Sequence, residues 1–189
     1  YWGVDRTYPS LMHHNVFLST NYRASFDRIF HDYTLPDEPS FYVHAPARTD
    51  SDAAPEGHDT LMILVPTSHI QEGTEQDWEE QKNRARQAVL QGLADVGIDD
   101  LEKHIKFEVS YTPLEWRDEY NLAKGSAFGL SHNFAQVGYL RPQNKHRTYS
   151  NLYFAGASTH PGTGLPIVLL SARLTTERIL EDLGLEDSH

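Results

Sequence analysis

Apolar and polar positions alternate most cleanly over residues 105–111, where Lys106, Glu108 and Ser110 separate Ile105, Phe107, Val109 and Tyr111. A period of two predicts a strand with one face buried. Thr112-Pro113 ends it, and a short helix is expected over 113–121. A period near 3.6 governs the stretch before it: Trp78, Ala85, Val89, Leu93 and Val96 fall on one side of a helix. Thr74, with Asp77 following, gives a capping-box-like start, and Glu75, Asp77 and Glu79 suit the positive end of the helix dipole. Short apolar runs at 13–18, 41–44, 61–65 and 152–156 predict further strands, with helices over 23–31 and 165–183. Residues 61–65 are apolar at every position, so that strand is expected to be buried on both faces. The polar segment "PARTDSDAAPEGHDT" between two of these strands is long for a hairpin, and long loops often border a site. Residues 124–150 are irregular, broken by Gly125, Gly129, Gly138 and Pro142. The fold class is therefore mixed α/β (α+β).

Composition narrows the function classes. The chain has 189 residues, 39% hydrophobic, enough to bury a core. A net charge of −11, with no Lys/Arg cluster, argues against nucleic acid as a partner. Cysteine is absent, which excludes disulfides and thiolate metal sites and fits an intracellular setting. No apolar run approaches the ~20 residues a bilayer crossing needs. Tyr1-Trp2-Gly3 has neither an initiator Met nor a signal pattern, and the chain is expected to be a piece of a longer protein.

The densest chemistry lies in "NLYFAGASTHPGTGLPIVLLSA", residues 151–172. An apolar strand runs into a turn of small residues that opens onto a helix. Gly156 lets a ligand approach the backbone, Ser158, Thr159 and His160 offer hydrogen bonds, and Pro166 suits the first helical turn. The free amides there favour a phosphate or an electron-rich ring edge. Ile167 to Leu170 are apolar all round while Arg173, Glu177, Arg178, Glu181 and Asp182 are polar, so the helix is expected to aim its buried positive end inward. Gly-rich strand-to-helix turns also arise for tight packing alone, and the local pattern leaves both readings open. No G-x-G-x-x-G occurs, so this is not the first turn of a dinucleotide fold.

That stretch resembles the carboxy-terminal flavin signature of bacterial and fungal phytoene desaturases. "MHHNVFLSTNYRASFDRIF", "FYVHAPARTDSDAAPEG", "LMILVPTSHI" and "FEVSYTPLEWRDEYNLAKGSAFGLSHNFAQVGYLRPQNK" resemble the same family in the same order, covering nearly the whole chain. The resemblance implies a two-domain flavoprotein, with residues 1–120 in the mixed-sheet substrate domain and 121–189 closing a Rossmann-like FAD domain. It implies FAD at Gly156, Ala157, Ser158, Thr159, His160, Gly162, Gly164, Leu165, Pro166 and Ile167. Amine-oxidase-like relatives usually carry an acidic residue after the Gly of this strand; here Ala157 follows Gly156, which fits the desaturase branch. The implied reaction removes two hydrogens from a hydrophobic polyene, with peripheral membrane association because such substrates partition into lipid. A carotenoid isomerase or retinol saturase is the neighbouring alternative, and a non-catalytic lipid- or partner-binding module the distant one. The piece alone is expected to be inactive, since the pyrophosphate-binding turn lies outside it.

No residue compels assignment as a catalytic base. The apolar face of 105–111, with Phe128 and Phe134, could line a substrate tunnel or simply pack a core. His160 sits where it could tune the flavin or stabilise the turn. The Ser158/His160 pair lacks a G-x-S-x-G elbow. No metal site is expected: His13 and His14, adjacent on a strand, should face opposite ways.

Overall fold

The computed structural model describes residues 1–131 and 133–185. The chain divides into two units, Tyr1–Tyr120 and Asn121–His189.

The first unit is built on a five-stranded antiparallel sheet. Its strands are β1 (Trp2–Val4), β2 (His14–Phe17), β3 (Phe41–His44), β4 (Asp59–Leu64) and β5 (Ile105–Glu108), in spatial order β2-β3-β4-β1-β5. Helix α1 (Tyr22–Phe30) follows β2, with Asn21 accepting from the Ala24 amide at 3.2 Å as its cap. Helix α2 (Trp78–Ala94) lays Val89 and Leu93 on one sheet face, against Trp2, Val4, Phe41, Val43 and Leu61. The short α3 (Leu101–His104) and then α4 (Pro113–Tyr120) flank β5.

Several expectations shift for identifiable reasons. Helix α2 starts at Trp78, capped by Asp77, whose carboxylate accepts from the Glu80 amide at 2.9 Å. The residues before it are held in a turn instead: the Gln76 side chain accepts from the Gln71 amide and donates to the carbonyls of Tyr33 and His69. Val96 falls beyond the helix end and is exposed, and Ile98 fills the core in its place. Strand β4 is not buried on both faces: Asp59 and Leu61 are buried, while Met62, Ile63 and Leu64 are half-buried.

The predicted strand 105–111 is shorter, and its face assignment fails at one residue. Trp2, Gly3 and Val4 pair with Glu108, Phe107 and Ile105, so Lys106 is an extra residue opposite β1. Such a bulge flips side-chain parity. Ile105 packs against the core, but Phe107 turns to the other face and covers Gly3, where a Cβ would meet its ring. Glu108 turns toward α2 and accepts from Arg86 Nε at 2.9 Å.

Gly92 lets α2 close onto the sheet: a Cβ there would lie 2.7 Å from Phe41 Cζ. Gly92→Val is expected to destabilise by about 1–3 kcal/mol through overpacking. Urea unfolding checks this, and Phe41→Leu in the same background should recover part of the loss.

The second unit is irregular, with 3₁₀ turns at Ala123–Gly125, Phe134–Gln136 and Gly138–Leu140, then one long helix, α5 (Leu165–Leu183). Lys145 and Asp182 pair at 2.6 Å and Tyr153 donates to the same carboxylate, tying the end of α5 to the 145–153 hairpin. These hydrogen bonds, Lys145 first and Tyr153 second, hold the Asp182 carboxyl below its ordinary pKa.

Candidate functional site

The Gly-rich turn is present, but the strand expected to feed it is not. Only Tyr153 forms a β-bridge, with Lys145. The backbone of Phe154 is occupied otherwise: its amide donates to the Asn144 carbonyl, and its own carbonyl accepts from Asn144 Nδ2 and Thr175 Oγ1. Side chains have replaced the ladder.

Those side chains form a buried polar knot behind the turn. Ser171 and Thr175 stand one helical turn apart on α5 and are its buried residues. Ser171 Oγ accepts from the Gly156 amide at 3.2 Å, donates to the His160 carbonyl at 2.9 Å and lies 2.9 Å from Thr159 Oγ1. Asn144, fully buried, reaches the His160 carbonyl at 2.9 Å. Arg141 is 2% exposed and donates to five backbone carbonyls, those of Leu130, Ser131, Gln136, Ala157 and Thr159. Among the described residues no carboxylate pairs with it. A full positive charge therefore sits directly behind residues 157–159, compensated by carbonyl dipoles alone. Sequence reasoning missed Arg141, Asn144, Ser171 and Thr175. The signal that could have found two of them is the Ser171/Thr175 spacing of four, which sets two hydroxyls on one helix face just after the apolar run 165–170.

The front of the turn is open. Gly156 has φ 127° and Gly164 φ 103°, both in the region side chains avoid, and a Cβ on Gly156 would meet nothing within 4 Å. Behind residues 157–158 the packing is tight instead: a Cβ on Gly129 would lie 2.8 Å from Ser158 Oγ. Gly164 precedes α5, whose first-turn amides at Leu165 and Ile167 have no intrahelical acceptor by helix geometry. Thr159 is buried, His160 and Gly162 less accessible than Ser158, and the peptide between His160 and Pro161 is cis.

The head of α5 is not buried within the second unit, contrary to the reading of its apolar turns. Leu165 is 78% exposed and Leu169 65%, and Ile167 and Leu170 are also exposed. An all-round apolar surface signals a covered surface, but the described residues of the second unit supply no cover; they bury only the Ser171/Thr175 side. The open glycines, free amides and uncovered apolar head leave room for a large planar, partly anionic group at this surface.

Phe107, Val109, Phe128 and Phe134 are all exposed, so none of them packs a core within its own unit. The two adjacent histidines also depart from expectation. Strand β2 begins at His14, so alternation does not govern His13, and the two rings come within 4.3 Å, centroid to centroid. Cross-strand His44 joins them, its pKa lowered by burial first and by His13 and His14 second.

A family model described as flavin containing amine oxidoreductase matches residues 17–180. The zeta-carotene-forming phytoene desaturase of Myxococcus xanthus is 49% identical over 181 residues, covering 95% of this chain and 34% of that protein. A phytoene desaturase of Neurospora crassa is 45% identical over 185 residues, covering 96% and 31% respectively. A 4,4'-diapophytoene desaturase (4,4'-diaponeurosporene-forming) of Staphylococcus aureus is 40% identical over 187 residues, covering 97% and 37%. The chain thus spans about a third of the length of these curated relatives.

Proposed function

Because the chain belongs to the flavin-containing amine oxidoreductase family, we propose that it is part of an FAD-dependent desaturase acting on phytoene or a related carotenoid precursor. The observation that carries this reading is the turn at 156–164: open in front, pinned behind by a buried arginine, and leading into a helix whose amides are free. Residues 1–120 are assigned to the substrate side and 121–189 to the FAD domain, an assignment supported by the division between Tyr120 and Asn121.

When bound, FAD supplies the oxidising power, accepting the two hydrogens the polyene loses. This chain's residues bind and orient. Gly156 and Gly164 leave room for close approach. The amides of Leu165 and Ile167 and the Arg141 charge favour electron-rich atoms at that surface. Leu165, Ile167, Leu169 and Leu170 would gain about 25 cal/mol per Å² on being covered, and would keep water from the reacting carbons. A hydrocarbon offers no polar handle, so the exposed Phe107, Phe128 and Phe134 are candidates for apolar contact with it.

Among the described residues no helix is long and apolar enough to cross a membrane. We assign peripheral contact with lipid on the ground that the substrate resides there. One experiment tests reaction and location together: the whole protein is mixed with phytoene-loaded vesicles, floated on a gradient, and the lipid extracted for product analysis. Co-flotation with longer-wavelength polyene bands is the expected result. Isomerised phytoene without new double bonds would point to an isomerase, and no product at all would contradict the desaturase reading.

A further inference from the structure

Antiparallel pairing of β2 with β3 sets His14 directly opposite His44, on one face of the sheet. Tyr42, two residues before His44, shares that face, while Phe41 and Val43 point into the core on the other. His13 precedes the strand, and its carbonyl accepts from the Ala45 amide at 2.9 Å, which keeps it beside His44. Three imidazoles consequently converge, with ring centroids 4.3, 4.6 and 5.4 Å apart. One ring nitrogen from each lies within 4.8 Å of the others.

The outer nitrogens are already engaged. His13 Nδ1 is 2.6 Å from Thr49 Oγ1, and His14 Nδ1 is 2.6 Å from the Tyr42 hydroxyl. Each partner fixes a ring's orientation and leaves Nε2 as its remaining nitrogen, as the outer contacts of metal-bound histidines do. His13 Nε2 and His44 Nε2 face each other at 2.8 Å. One proton can satisfy that pair, but nothing in it satisfies the third ring. A cation at the centre satisfies all three lone pairs.

We propose that His13, His14 and His44 form a binding site for a divalent transition-metal ion of the zinc type. An all-imidazole set suits Zn²⁺, Co²⁺, Ni²⁺ or Cu²⁺ and is unsuited to Mg²⁺ or Ca²⁺, which take oxygen ligands. Tetrahedral coordination at about 2.0–2.1 Å per bond places ligand nitrogens roughly 3.3 Å apart. The close His13–His44 pair has to open slightly and His14 to swing inward. His14 is exposed, so the shift meets no packed neighbour, and the Tyr42 hydroxyl moves with it. A fourth position is left for water. The site joins β2 to β3 and, through Thr49, to the polar loop after β3, so an ion there clips the loop to the sheet edge. It lies in the first unit and makes no use of the residues assigned to FAD.

The test is a Co²⁺ titration of the whole protein after chelator treatment, read by visible ligand-field absorption, with Zn²⁺ displacing the signal. We expect one equivalent per chain, with four-coordinate band intensity. His44→Gln and, as the variant least able to disturb folding, exposed His14→Gln should each weaken binding at least tenfold. His58→Gln, on a separate turn, should leave it unchanged. Zn²⁺ should raise the unfolding midpoint of the starting protein and not that of His14→Gln. Absence of saturable binding, or affinity in the His14 and His44 variants undiminished from that of the starting protein, would overturn the proposal.

Discussion

Arg141→Met is expected to strip the whole protein of flavin and to lower its unfolding midpoint together. The guanidinium joins the 130–136 segment to the 157–159 turn through five carbonyls, all donated to from one buried group. Leaving a buried acceptor unpaired costs about 1–3 kcal/mol; the Thr159 contact is buried and the other four are part-buried, so the loss should be on the order of 3 kcal/mol. Methionine fills much of the volume, which makes the missing donors and the missing charge the main change. Arg141→Lys keeps the charge but cannot span both segments with one ammonium, so it should retain flavin only weakly. Flavin absorbance per protein and thermal unfolding read the two effects. A variant that kept full flavin content would show that the charge behind the turn has no part in holding the cofactor.

Arg48→Met should be the most damaging single change in the first unit. Asp59 is 1% exposed at the start of β4, where it also accepts from the Tyr8 amide at 3.4 Å. Arg48, in the turn Pro46–Arg48, is its ion-pair partner. Removing one member of a buried pair leaves a charge without compensation and costs about 3–5 kcal/mol. The double variant Arg48→Met/Asp59→Leu should recover most of that, because well-packed apolar replacements of buried pairs are often neutral. Urea unfolding followed by fluorescence of the core tryptophans, Trp2 and Trp78, measures both. Additive losses in the double variant would mean that the pair's role is packing, not charge.

Local patterns were legible and long-range contacts were not. The bounds of α5 and the existence of α2, β2 and β3 follow from apolar spacing and short-range capping. β1 went unread because Trp2, Gly3 and Val4 make too short a run to show a period; pairing with β4 and β5 makes it a strand. The bulge at Lys106 left no mark in a sequence that alternates perfectly through it. The turn glycines were legible because positive φ leaves few other choices at Gly156 and Gly164. Arg141 and Asn144 lie in an irregular stretch where nothing local reports that their partners are the carbonyls of 154–160. The α5 head shows the limit of hydropathy: Ile167 to Leu170 read as covered, and hydropathy does not say by what.

Hydrogen exchange of the whole protein with and without FAD, at the amides of 157–160, Leu165 and Ile167, decides whether the cofactor lies against this turn. FAD is expected to slow exchange at these positions, above all at Leu165 and Ile167, which lack intrahelical acceptors. Unchanged exchange there, with protection appearing only in other parts of the protein, would contradict it.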